Sequence, residues 1–148
     1  MLINSYTHSV DPKGRVFIPS KWRDDLGDTV IVTRGILGQG SSKCLFAMSV
    51  TSWNEFYERF RTLALSDVRA QNVMRILFAN ACECELDKQG RILVSNGLRE
   101  YAGLEKDVVL IGMGGRFEIW DAETWNKHNE TEENMDADAL QHLLELGI

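Results

Sequence analysis

The sequence predicts a mixed α/β (α+β) fold made of two pseudo-symmetric halves, and three observations predict it. Asp11-Pro12-Lys13-Gly14-Arg15, running into Val16-Phe17-Ile18, returns as Asp87-Lys88-Gln89-Gly90-Arg91, running into Ile92-Leu93-Val94, at an offset of 87 − 11 = 76 residues. A short polar stretch ending in glycine follows each copy, and after it comes an apolar run rich in β-branched residues. Repetition of one order of elements at a fixed offset marks a duplicated unit.

Taken in order, Ile3 to Val10 is a strand leading into the first turn. Aspartate at the first position of a tight turn, proline at the second and glycine at the fourth compose a type I β-turn. The second copy keeps Asp87 and Gly90. Each copy therefore reads as a β-hairpin whose tip carries an arginine just past the turn glycine, with Lys13 or Lys88 beside it. Ser20 to Gly27 and Ser95 to Gly103 each read as a short helix with a serine cap at its start and a glycine beyond its end. Thr29 to Thr33 and Asp107 to Ile111 are short and β-branched, as buried strands are, and a second strand follows each near Leu45–Met48 and Phe117–Trp120.

Residues 52–79 read as two amphipathic helices joined like an αα-hairpin. Ser52 with Glu55 forms a capping box, and Trp53, Phe56, Tyr57 and Phe60 recur at spacings of three and four. The second helix starts near Ser66 or Asp67 and presents Val73, Met74, Leu77 and Phe78. In the tail, Asp136 caps a short helix with a stripe of Leu140, Leu143 and Leu144. The chain divides into a first repeat (1–54), a helical hairpin joining the repeats (55–79), a second repeat (80–128) and an acidic C-terminal tail with a short helix (129–148).

The chemistry is concentrated in the turns. A rigid turn that holds a guanidinium out on a sheet suits contacts to phosphate or to guanine edges. The plainer alternative is that Asp11 and Arg15 are turn residues that pair with each other, and duplication of the same charged pair weighs against it. Arg15 has Lys13, Lys21 and Arg23 close by, whereas Arg91, with Lys88 and Arg99, is preceded by Glu83, Glu85 and Asp87. The first turn is accordingly expected to be the principal binding element. Cys82-x-Cys84 with His8 could suggest a metal site, but the spacing is not that of structural zinc sites, and buried free thiols are common core residues. Gly35 to Lys43 lacks both the third glycine of a dinucleotide loop and the Walker order, so it reads as a turn between strands.

The tandem Asp-x-x-Gly-Arg turns, with the order of elements around them, resemble the MraZ family of bacterial transcriptional regulators over roughly residues 1–128. The resemblance implies a duplicated AbrB-like, swapped-hairpin β-barrel with helices packed outside. It implies a homo-oligomeric, ring-like DNA-binding regulator acting on short direct repeats upstream of its own operon, the division and cell-wall cluster, with repression as the expected role. Lys13, Arg15, Lys21, Arg23, Lys88 and Arg91 are then the DNA-binding residues, on turns shaped by Asp11, Gly14, Asp87 and Gly90. An antitoxin-like or scaffold module that occupies a partner protein with its acidic tail is the alternative.

Bulk properties bear on both readings. The net charge of −6 opposes DNA binding, yet residues 118–148 hold nine acids and one lysine. Removing them leaves 15 basic and 13 acidic residues, a net +2 over residues 1–117. A nearly neutral body binds DNA tightly only when several subunits present the same arginines together. There is no 18-residue apolar run and no signal-peptide pattern, and a cytoplasmic, nucleoid-associated protein is expected. No Ser-His-Asp, HExxH or Walker context is present, so no enzymatic activity, cofactor, metal or small-molecule ligand is expected.

Overall fold

A computed structural model describes residues 1–37, 40–132 and 137–148. The expectations for Gly38 and Gln39 in the long loop, and for Asp136 as a helix cap, lie outside the described residues. The first half runs β1 (Ser5–Ser9), β2 (Arg15–Phe17), a 3-10 turn (Ser20–Trp22), α1 (Arg23–Leu26), β3 (Thr29–Gly35), β4 (Cys44–Ser49) and α2 (Val50–Arg61). After α3 (Val68–Ala79), the second half runs β5 (Cys82–Glu85), β6 (Arg91–Leu93), α4 (Asn96–Ala102), β7 (Asp107–Gly112), β8 (Phe117–Asp121) and α5 (Ala122–Glu132), with α6 (Ala137–Glu145) in the tail.

The two hairpins are exchanged between the halves. β1 pairs antiparallel with β7 and β5 with β3, so each first arm joins the sheet of the other half. The second arms, β2 and β6, pair with each other as a separate two-stranded ribbon. The larger sheet has the order β1-β7-β8-β4-β3-β5. Among the described residues that order does not return from β5 to β1, so the hydrogen-bonded sheet is open. A simple hairpin, with arms laddered to each other, is therefore not what forms. Each turn closes through one rung, from Asp11 N–H to Arg15 O and from Asp87 N–H to Arg91 O, and then the arms part.

Alternation along the central strands explains why they are apolar on both faces. Val30, Val32, Leu45, Ala47, Val108, Leu110, Phe117 and Ile119 face the ribbon and short helices, where Val16, Ile18, Trp22, Ile92, Val94 and Leu98 complete the main core. Phe46, Met48 and Trp120 turn the other way and pack under Trp53 and Phe56 of α2 and Trp125 of α5. Two helix starts differ from the sequence reading. The cap of α2 is Ser49, whose side chain accepts from Ser52 N–H, three residues before the expected Ser52 cap. Ser20 caps nothing, because its segment starts as a 3-10 turn after Pro19, whereas Ser95 caps α4 as expected.

Cys84 is buried in the main core and Cys82 packs against it. Burial pushes the Cys84 thiol up to about 11 and Cys44 up to about 12, so neither is a thiolate at neutral pH. Among the described residues no group of three His, Cys, Asp or Glu is placed to hold a metal ion. His8 occupies the position in β1 that Cys84 occupies in β5, opposite Val108 as Cys84 is opposite Val30. Its Nε2 is buried without a hydrogen-bond partner, and burial lowers its pKa below the ordinary value. A folded-state pKa below the unfolded one of about 6.5 means that the unfolded chain binds more protons on acidification. The contribution of neutral His8 is full above that value and lost as pH falls through it towards the folded pKa. Urea midpoints measured from pH 7 to pH 5 should fall, and His8→Cys should flatten that part of the profile. An unchanged slope in His8→Cys would remove His8 as its source.

Candidate functional site

The repeated turns are built by one carboxylate each. Asp11 Oδ1 accepts from the backbone N–H groups of Lys13 (3.0 Å) and Arg15 (2.8 Å), and its Oδ2 accepts from Arg15 Nε. Asp87 does the same with Gln89 N–H (2.9 Å), Arg91 N–H (2.9 Å) and Arg91 Nε (2.8 Å). Hydrogen bonds from the arginine backbone, chief among the causes, hold both carboxyls below their usual pKa. Gly14 and Gly90 donate to the Asp11 and Asp87 carbonyls and sit at φ +92° and +79°, where a side chain is strained. The result is a pair of rigid turns whose aspartates stay anionic through neutral pH, each bonded to the arginine of its own turn.

The β2–β6 ribbon places the two turns on one surface. Its register sets Arg15 opposite Leu93, Val16 opposite Ile92 and Phe17 opposite Arg91. Val16 and Ile92 are fully buried, so the alternate residues Arg15, Phe17, Arg91 and Leu93 form the outer face. Phe17 and Leu93 are 40% and 58% exposed, and the Arg91 guanidinium lies 5.8 Å from the Phe17 ring. These two apolar residues are not among those that the sequence motif singles out. Their alternation with Val16 and Ile92 is the signal that could have found them. Lys13 and Lys88 are exposed in the turns, and Lys21 is exposed on the 3-10 turn. Lys13 and Lys88 are not equivalent, since position 13 + 76 is Gln89 and Lys88 stands where the first copy has Pro12.

The two arginines differ in freedom. The Arg15 side chain is 31% exposed and pairs with Asp11, whereas Arg91 is 18% exposed, pairs with Asp87 and lies 3.9 Å from Asp11 as well. The plain pairing thus occurs in both turns, and because each carboxylate engages Nε, the Nη end of each fork lies outside that bond.

Arg23 stands apart from the other predicted residues. Its Nε and Nη2 donate to the carbonyl of Ile18 at 3.1 and 3.0 Å, and its guanidinium lies across Gly90, in the other half. Arg99, at 23 + 76, repeats this, with Nε donating to Val94 O at 3.0 Å and the guanidinium across Gly14. The repeat offset could have identified Arg99 as the counterpart of Arg23.

The sequence also matches known proteins. A family model described as "MraZ protein, putative antitoxin-like" matches twice, over residues 1–76 and 77–145. The starts of the two matches are 77 − 1 = 76 residues apart, the same offset as the turns. A curated relative named transcriptional regulator MraZ in Caldicellulosiruptor bescii is 45% identical over 149 residues, covering all of both chains. Relatives of the same name in Clostridium beijerinckii and Acetivibrio thermocellus are 42% and 45% identical, again over all of both chains.

Proposed function

The chain belongs to the MraZ family, and from that premise we propose that it is a DNA-binding transcriptional regulator that reads duplex DNA with the outer face of the β2–β6 ribbon. The relatives are named as regulators, not as enzymes. The observation that carries the proposal is the pairing of two Asp-x-x-Gly-Arg turns on one two-stranded ribbon, with an arginine at each end of its exposed face. A two-stranded ribbon fits the major groove, where arginine reads guanine and an apolar side chain packs on the thymine methyl. Arg15 and Arg91 fill the first role, Phe17 and Leu93 the second, and Lys13, Lys21 and Lys88 lie on phosphates. Arg15 leads, being the more exposed arginine with the fewer carboxylate neighbours.

The functional unit is a homo-oligomer, ring-like by family resemblance, that represses its own operon at short direct repeats from a cytoplasmic, nucleoid-associated pool. Two facts support assembly. The chain is net negative, so one copy of the ribbon is a weak DNA ligand. The tip of the α2–α3 hairpin exposes Leu63, Leu65 and Val68 to 37%, 90% and 67%, an apolar edge that a neighbouring copy would cover.

The test is a mobility-shift titration of the wild-type chain against duplex from upstream of its own coding sequence, with light scattering on the same sample. Log affinity should fall by about 0.9 per phosphate contact for each unit of log salt, and several subunits multiply those contacts. The scattering mass should be a multiple of 16.8 kDa. A flat salt dependence removes the basic turns as the contact surface, and a clean 16.8 kDa monomer at micromolar concentration removes the assembly.

A further inference from the structure

Arg23 and Arg99 share a geometry that a direct DNA contact does not require. Ile18 N–H donates to Gly90 O at 2.9 Å, and the carbonyl of Ile18 accepts from Arg23, whose guanidinium covers Gly90. Val94 N–H donates to Gly14 O at 3.0 Å, and the carbonyl of Val94 accepts from Arg99, whose guanidinium covers Gly14. So each turn is held by a peptide and an arginine from the opposite half. The fit depends on glycine as well as on arginine, since a Cβ built on Gly14 would lie 2.6 Å from Arg99 Cζ. Both arginines are half-buried, with their donors turned to backbone oxygen.

We infer that Arg23 and Arg99 are crosswise positioning residues: Arg99 of the second half fixes the turn that carries Arg15, and Arg23 of the first half fixes the turn that carries Arg91. This assigns Arg23 a role other than the DNA contact expected from its nearness to Arg15 in sequence, and adds Arg99 to the site. A planar guanidinium lies flat on a glycine backbone while Nε reaches a carbonyl in its plane, which a lysine ammonium on a flexible stem does not reproduce. Holding the turn before DNA arrives removes an ordering cost from binding, so loss of the staple weakens binding without removing a contact.

The DNA consequence rests on the proposed reading of the ribbon, but the staple itself is measurable without DNA. Amide hydrogen exchange of the free protein should quicken at residues 13–15 in Arg99→Ala and stay unchanged at 89–91, with the reverse pattern in Arg23→Ala. Arg99→Lys and Arg23→Lys keep the charge and the length, guard against a folding failure of the alanine variants, and should show the same crosswise pattern. In DNA titrations Arg99→Ala and Arg99→Lys should both lose about tenfold in affinity, equivalent to about 1.4 kcal/mol, and Arg23→Ala less. Exchange that quickens at the turn nearer in sequence, or at neither turn, overturns the staple. Wild-type exchange and wild-type affinity together in Arg99→Lys show that charge alone acts, and also overturn it, whereas a crosswise exchange pattern with wild-type affinity keeps the staple and rejects the ribbon as the DNA reader. A crosswise exchange pattern in a protein that binds no DNA keeps the staple and rejects the ribbon as a DNA reader.

Discussion

Arg15→Ala should abolish specific DNA binding while the protein remains folded and assembled. Losing a bidentate arginine contact costs about 1–3 kcal/mol, and an oligomer using several copies compounds that loss. The fold should survive because Arg15 is a partly exposed residue whose ion pair is local to its own turn, and exposed pairs of this kind contribute about 0–1 kcal/mol. The turn keeps its backbone hydrogen bonds to Asp11 without the side chain. Arg91→Ala should weaken binding less, since Arg91 is more enclosed and lies near both Asp87 and Asp11. Fluorescence anisotropy with a labelled duplex, alongside thermal melts of each variant, measures both halves of the expectation. Equal affinities of wild type and Arg15→Ala would refute the assignment, and a larger loss from Arg91→Ala with the fold intact would move it to the second turn.

Trp22→Ala should have the largest effect on stability. Trp22 is 1% exposed, and its indole meets Tyr6 edge-on at 5.3 Å and Phe117 at 5.2 Å. Its Nε1 donates to Ile3 O at 3.0 Å, tying the N-terminal segment to the core. Truncating a buried aromatic residue of this size costs about 3–5 kcal/mol, a large share of the stability of a small domain. Trp22→Phe keeps most of the ring contact and loses the hydrogen bond, for about 1 kcal/mol. Urea unfolding should show a lower midpoint with an unchanged slope. A shift below about 1 kcal/mol for Trp22→Ala would mean that the core closes over the gap far better than this packing allows.

Local signals in the sequence account for the turns, the central strands and the order of elements in each half. Asp11, Gly14, Asp87 and Gly90 act within four residues of themselves, so composition alone identifies their turns. The exchange of hairpin arms is not a local property. β1 and β5 have the same pattern whichever strand they pair with, and β7 or β3 is chosen by closure of the common core. The two helix starts that differ do so for separate reasons: α2 begins where β4 ends, which makes Ser49 its cap, and the segment at Ser20 opens as a 3-10 turn after Pro19. In the candidate site the two arginines were legible in the sequence, and the apolar residues beside them were less so. Phe17 and Leu93 read as core when only their hydrophobicity is considered, and as surface once Val16 and Ile92 fix the inner face.

The central claim is that the two turns and the ribbon between them form the DNA-binding surface. Hydrogen exchange of the protein with and without duplex from its own upstream region tests it most directly. The account predicts new protection at residues 11–17 and 87–93, together on the one ribbon, with the α2–α3 hairpin unchanged by DNA. Protection confined to α2–α3 or to the tail, with residues 11–17 and 87–93 unaffected, would contradict it.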